Sequence, residues 1–128
     1  MISGTFFTIE APEFVGRACN GMRAGVATAG EIEEIQAQCE SNEAMCLACE
    51  DGMLVITLEP SPEGIELFVL LAVAFQHGAF ARQNSALDAI GRDLDAKTVA
   101  FRARRRGWAR RLGPEWQSRG NEFVRSIH

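Results

Sequence analysis

The segment that most constrains this chain is Ile65 to Phe75, IELFVLLAVAF, in which every residue except Glu66 is apolar. A strand with one wet face alternates polar and apolar side chains. A continuous run instead describes a strand covered on both faces, at the centre of a sheet. From Leu67 onward the run is about half the length a bilayer crossing requires, and Glu66 stands before it, so a membrane span is excluded. A chain of 128 residues holds one such core. The expectation is therefore a single domain spanning residues 1–128.

The flanking segments set the order of elements. Thr5 to Ile9 is rich in β-branched and aromatic residues and predicts a first strand. Ala11-Pro12-Glu13 marks a helix start, with Phe14, Ala18 and Met22 on one face and Gly21 and Gly25 near its end. Thr28-Ala29-Gly30-Glu31 is a capping-box pattern. The helix it opens carries Ile32, Ile35 and Cys39 at spacings of three and four and stops at Asn42. The period then changes. Residues 44–49 and 53–58 predict two strands about an Asp51-Gly52 hairpin turn. Pro60-Ser61-Pro62-Glu63-Gly64 turns the chain into the central run. These three strands form an antiparallel meander. Gln76 to Ala81 is a loop, 82–94 a helix with Leu87, Ile90 and Leu94 on one side, and 98–103 a strand. Strand, helix and strand in that order make a crossover and require a parallel pair. Gly107 to Leu112 predicts a short helix stopped by Gly113-Pro114, and 122–127 a last strand. The fold class is α+β: a mixed central sheet with an antiparallel meander, one parallel crossover and flanking helices.

Charge is divided between the halves. Residues 1–66 carry 12 acids and 2 bases, whereas 67–128 carry 5 acids and 11 bases. Such a split points to an acidic or anionic partner for one pole, or to packing of one half on the other. Six arginines, Arg102, Arg104, Arg105, Arg106, Arg110 and Arg111, lie within ten residues. They suit a solvated face, an acidic protein surface (this chain's own or a second copy's), or a phosphate. Only Trp108 is interleaved among them, which gives no series of stacking platforms for nucleic acid. The amino-terminal residues lack the basic and apolar regions of a signal peptide, so a cytoplasmic protein with free thiols is expected. Cys46-x-x-Cys49 has a metal-ligand spacing, but on a strand two residues three apart point to opposite faces. Buried thiols and no metal are the expectation.

The element order resembles that of the GNAT N-acetyltransferase superfamily over nearly the whole chain. In that family acetyl-coenzyme A lies between two splayed parallel strands, its pyrophosphate on backbone N–H groups at the start of the crossover helix. A helix N-terminus offers an anion unpaired donors and a positive dipole end. The family loop reads Arg/Gln-x-x-Gly-x-Gly/Ala, and the matching segment here is Gln76-His77-Gly78-Ala79-Phe80-Ala81. The resemblance thus assigns coenzyme contact to Gln76, Gly78, Ala79, Phe80 and Ala81. Ala79 stands where the family has Gly. By position, Glu66 is the counterpart of the family's general base, with His77, Glu50 and Glu59 as lesser candidates. A base there needs a pKa raised toward neutrality. The family's Tyr, which protonates the departing thiolate, is matched by Ala109, and the chain contains no Tyr.

Two functions follow from the resemblance, one catalytic and one not. One is an acetyl-CoA-dependent N-acetyltransferase. The other, favoured by the missing Tyr, the Ala in the phosphate loop and the divided charge, is a binding or assembly subunit without full catalytic competence. Small members of this kind occur among bacteriophage accessory and virion proteins. That setting would make the chain virion-associated, with a protein partner or a homo-oligomer formed through charged faces. A third function, nucleic-acid association through the arginines of 102–111, is disfavoured by the net charge of −4.

Overall fold

The computed structural model describes residues 7–19, 28–50, 52–74, 79–102 and 112–127. Their elements run in the order β1 (Thr8–Glu10), α1 (Glu13–Cys19), α2 (Ala29–Glu40), β2 (Met45–Cys49), β3 (Gly52–Ser61), β4 (Gly64–Ala74), α3 (Ala79–Asp93), β5 (Ala96–Arg102), β6 (Gln117–Arg119) and β7 (Glu122–Ser126). The strands form one mixed sheet in the order β1-β2-β3-β4-β5-β7-β6. The apolar run is β4, fourth of the seven. β2, β3 and β4 are the antiparallel meander. β4 and β5, joined through α3, are parallel, with Ile65 opposite Ala96 and Val69 opposite Phe101.

The ladder between β3 and β4 explains how one apolar run serves two cores. Val55 pairs with Leu71, but the next residue, Ile56, pairs with Val69, so Leu70 is an extra residue in β4. Odd-numbered residues would otherwise share one face; the bulge transfers them to the other. Leu67 and Val69 therefore pack with Leu54, Ile56, Val99, Leu87 and Ile90, on the face that α3 covers. Leu71 and Val73 pack with Met53, Val55, Cys46, Val15, Ile35 and Cys39, on the face that α1 and α2 cover.

Local chemistry sets the helix ends. The Thr28 hydroxyl accepts from the Glu31 N–H at 3.1 Å, and the Thr28 N–H donates to the Glu31 carboxylate at 3.2 Å, which completes the capping box. Asn42, beyond the helix, has φ 65°, in the left-handed region that Asn tolerates. No helix among the described residues is long and apolar enough to cross a membrane.

Several boundaries differ from the sequence reading. The first strand is 8–10, and Phe7 before it is a buried core residue. Val15 is the fully buried side chain of α1, with Phe14 and Ala18 packed around it; Met22 lies outside the described residues. The β2–β3 hairpin closes at Cys49 opposite Gly52, one residue earlier than an Asp51-Gly52 turn. α3 begins at Ala79 rather than 82, so the predicted loop 76–81 gives its last three residues to the helix. β6 was not expected. Most of the predicted helix 107–112 lies outside the described residues.

Gly52 is required by close approach. A methyl group there would meet the Val73 carbonyl oxygen and the Gln83 side-chain amide, which donates to that carbonyl at 3.0 Å. Gly52→Ala should destabilise the protein by about 1–3 kcal/mol, the usual cost of overpacking. Gly30→Ala, where a methyl meets nothing within 4 Å, should stabilise by about 0.5–1 kcal/mol. Urea unfolding of the two variants measures both changes, and equal effects would contradict the packing at Gly52.

Candidate functional site

Two structural features converge at the middle of β4. On one edge β4 stays paired with β3 as far as Ala74 opposite Gly52. On the other edge, among the described residues, pairing with β5 ends at Val69 opposite Phe101. The described pairing thus ends next to Leu70, the bulged residue. A bulge bends and twists its strand, and here it lies where the parallel pair ends. α3 begins at Ala79, and the first N–H groups of a helix have no partner within the helix itself. Of the residues assigned to the coenzyme, Ala79, Phe80 and Ala81 form that first turn. Gln76, His77 and Gly78 lie outside the described residues.

Glu66 lies on the opposite side of the bulge, on the half of β4 that is paired on both edges. It is one of the few buried charged residues, 6% exposed. Arg119 of β6 grips it with two parallel bonds, Nη1 to Oε1 and Nη2 to Oε2, each 2.9 Å. The Thr98 hydroxyl donates to Oε1 at 3.3 Å. Arg119 also bonds Glu122, across the β6–β7 turn, at 2.9 Å. The hydrogen bonds from Arg119 hold the Glu66 carboxyl below the ordinary carboxylate range, against the opposing effect of burial. Glu66 and Glu122 together raise the pKa of Arg119. A proton acceptor near neutrality needs the reverse shift.

A second arginine was not anticipated from the sequence. Arg125 of β7 is 4% exposed and satisfies all five of its N–H donors. Nη1 donates to Asp88 at 2.6 Å and to the Ser126 carbonyl at 3.1 Å. Nη2 donates to the Asn84 carbonyl at 2.9 Å and to Asn84 Oδ1 at 3.1 Å, and Nε donates to the same Oδ1 at 3.3 Å. The guanidinium carbon lies 5.1 Å from the Trp116 ring centre, and Trp116 meets Phe101 edge-on at 5.2 Å. This node ties the crossover helix to the last strand and orients α3, the element on which any anion cradle depends. The Asn84–Asp88 spacing of four residues on a helix was the available signal.

The remaining candidates are dispersed. Arg102 is exposed at the end of β5, and Arg104, Arg105, Arg106, Arg110 and Arg111 lie outside the described residues. Glu59 is exposed on the β3–β4 arm. Cys46 belongs to the core under α1 and α2, whereas Cys49 packs on the α3 side, so the two thiols diverge as their spacing on a strand requires. All four cysteines are free, and burial pushes the Cys46 thiol up to about 12. Among the described residues no three His, Cys, Asp or Glu side chains converge as a metal set would.

The architecture is an α+β domain with a seven-stranded mixed sheet and one parallel pair. Comparison with protein-family models and with curated proteins gave no match.

The Glu66 clamp has a definite pH signature. Because its folded pKa is lowered, its stabilisation is complete above the unfolded value of about 4.3 and is lost as pH falls through the folded value. Glu66→Gln should therefore be less stable than wild type at pH 7, with the difference shrinking toward zero as the wild-type carboxylate protonates. Thermal unfolding from pH 7 to pH 3 measures this. A difference independent of pH would show that the carboxylate charge contributes nothing.

Proposed function

We propose that this chain is a GNAT-like domain that works as a binding or assembly subunit, without acetyl-transfer chemistry of its own. The observation that carries this reading is the clamp on Glu66. The carboxylate in the position of the family's base has both oxygens engaged by Arg119 and a third bond from Thr98. A base so held is ionised, has three of its four acceptor sites taken, and has a reduced affinity for a proton. The sequence adds that no Tyr is present to protonate a departing thiolate.

A second reading, an acetyl-CoA-dependent N-acetyltransferase, is favoured by one specific feature: among the described residues the parallel pairing of β4 with β5 ends at the bulge, and α3 begins five residues past the end of β4. Backbone donors at such a place could receive a pyrophosphate and polarise a thioester carbonyl, so that catalysis would be largely positional.

The two readings differ in a single assay. With acetyl-CoA and a panel of primary amines and amino-terminal peptides, the assembly reading predicts no thiol release above the uncatalysed rate. Turnover that falls about 10²–10⁴-fold in Glu66→Gln, the usual contribution of a general base, would replace it with the enzyme reading. Calorimetry separates coenzyme binding from chemistry: micromolar binding lost in Gly78→Arg, without turnover, would mark a coenzyme-binding scaffold.

A further inference from the structure

Among the described residues three large apolar side chains are exposed, Ile9, Leu58 and Ile65, and two of them, Ile9 and Leu58, line the same groove. The groove exists because β2 is half the length of β3. Met45 opposite Ile56 is the first pair of β2, and β3 runs on to Ser61 beyond it. The notch beside β3, closed on its other sides by the end of β1 and the carboxyl end of α2, encloses about 510 Å³. Its floor includes Met45 and Ile56, and Glu10, Glu40 and Glu43 stand on its rim. The Glu10 carboxylate accepts from the Thr8 hydroxyl, and that of Glu40 from the Gln36 amide. None of the three carboxylates has an ion-pair partner among the described residues. An apolar floor within an acidic rim suits an apolar anchor flanked by cations.

We propose that this groove docks the arginine-rich run 102–111 of a second copy of the chain. The run supplies six arginines to the acidic rim and Trp108 as the apolar anchor. Arg102, where the run begins, is the last residue of β5, two strands from β3 on the side away from the groove. The proposal accordingly places the contact between copies and not within one chain. The contact is heterologous, each copy offering its groove to one neighbour and its basic run to another, and it grows into a ring or an open filament. The proposal rests on the assembly reading and names the surface that reading uses.

Sedimentation velocity on the full chain tests it. Wild type should self-associate at low salt, with affinity falling at least about tenfold in 0.5 M salt as the charges are screened. Glu40→Lys/Glu43→Lys, at two exposed positions, should be monomeric, and so should Arg104→Glu/Arg105→Glu. Mixed together, these two variants should form a dimer that grows no further, since one intact groove then meets one intact run. A wild type that stays monomeric at all salt concentrations would overturn the proposal. So would association unchanged in Glu40→Lys/Glu43→Lys, although the assembly reading would then survive through another surface. Acetyl transfer by the wild type would remove the assembly reading while leaving the groove contact to be judged by the mixing result.

Discussion

One extra residue in the central strand organises most of this molecule. Without Leu70 at the bulge, Leu67, Val69, Leu71 and Val73 would all face one layer, and the other would receive Phe68, Leu70 and Ala72 instead. With it, β4 contributes two residues to the core under α3 and two to the core under α1 and α2. Among the described residues the pairing with β5 also ends there. Core division and the end of the described parallel pairing thus coincide at one register shift. Changes that alter the bulge should move both together.

The two arginine nodes do different work on this frame. Arg125 is buried with every donor used, and it fixes how α3 lies on the sheet. A buried charge of this kind contributes little net stability over an apolar substitute, but removing one partner strands the other, so it acts chiefly on geometry. Arg119 is about half exposed and joins the acidic first half of the chain to the basic second half through Glu66. That single contact partly resolves the division of charge seen in the sequence. Among the described residues it leaves without an ion-pair partner the carboxylates around the groove between β1, β2 and β3, and the self-association proposed for this chain depends on that remainder.

Much of the fold was legible because its signals are local. The capping box at Thr28 and Glu31, the stop at Asn42, the apolar run of β4 from Leu67 and the crossover unit each depend on a few neighbouring residues. The bulge was not legible, since an extra residue in a uniformly apolar run changes no pattern and only the partner strand reveals it. β6 could have been found: Gly120-Asn121 is a hairpin turn signal, and Gly120 takes φ 64° there. The three residues before it carry no apolar side chain to mark a strand. Glu66 was singled out for its position, but its partner lies 53 residues away, and a long-range ion pair leaves no trace in spacing. For Arg125 the spacing of Asn84 and Asp88 marked the acceptors, but nothing local linked them to a strand about 40 residues later.

The state of the Glu66 carboxyl is the most direct test of the account. A carbon-detected NMR titration of the side-chain carboxyl reports its protonation without reference to stability or activity. The clamp predicts a midpoint below that of an unperturbed glutamate, moving back up when Arg119 is replaced by Gln. A midpoint near neutrality in the wild type would contradict the clamp and return Glu66 to the role of a general base.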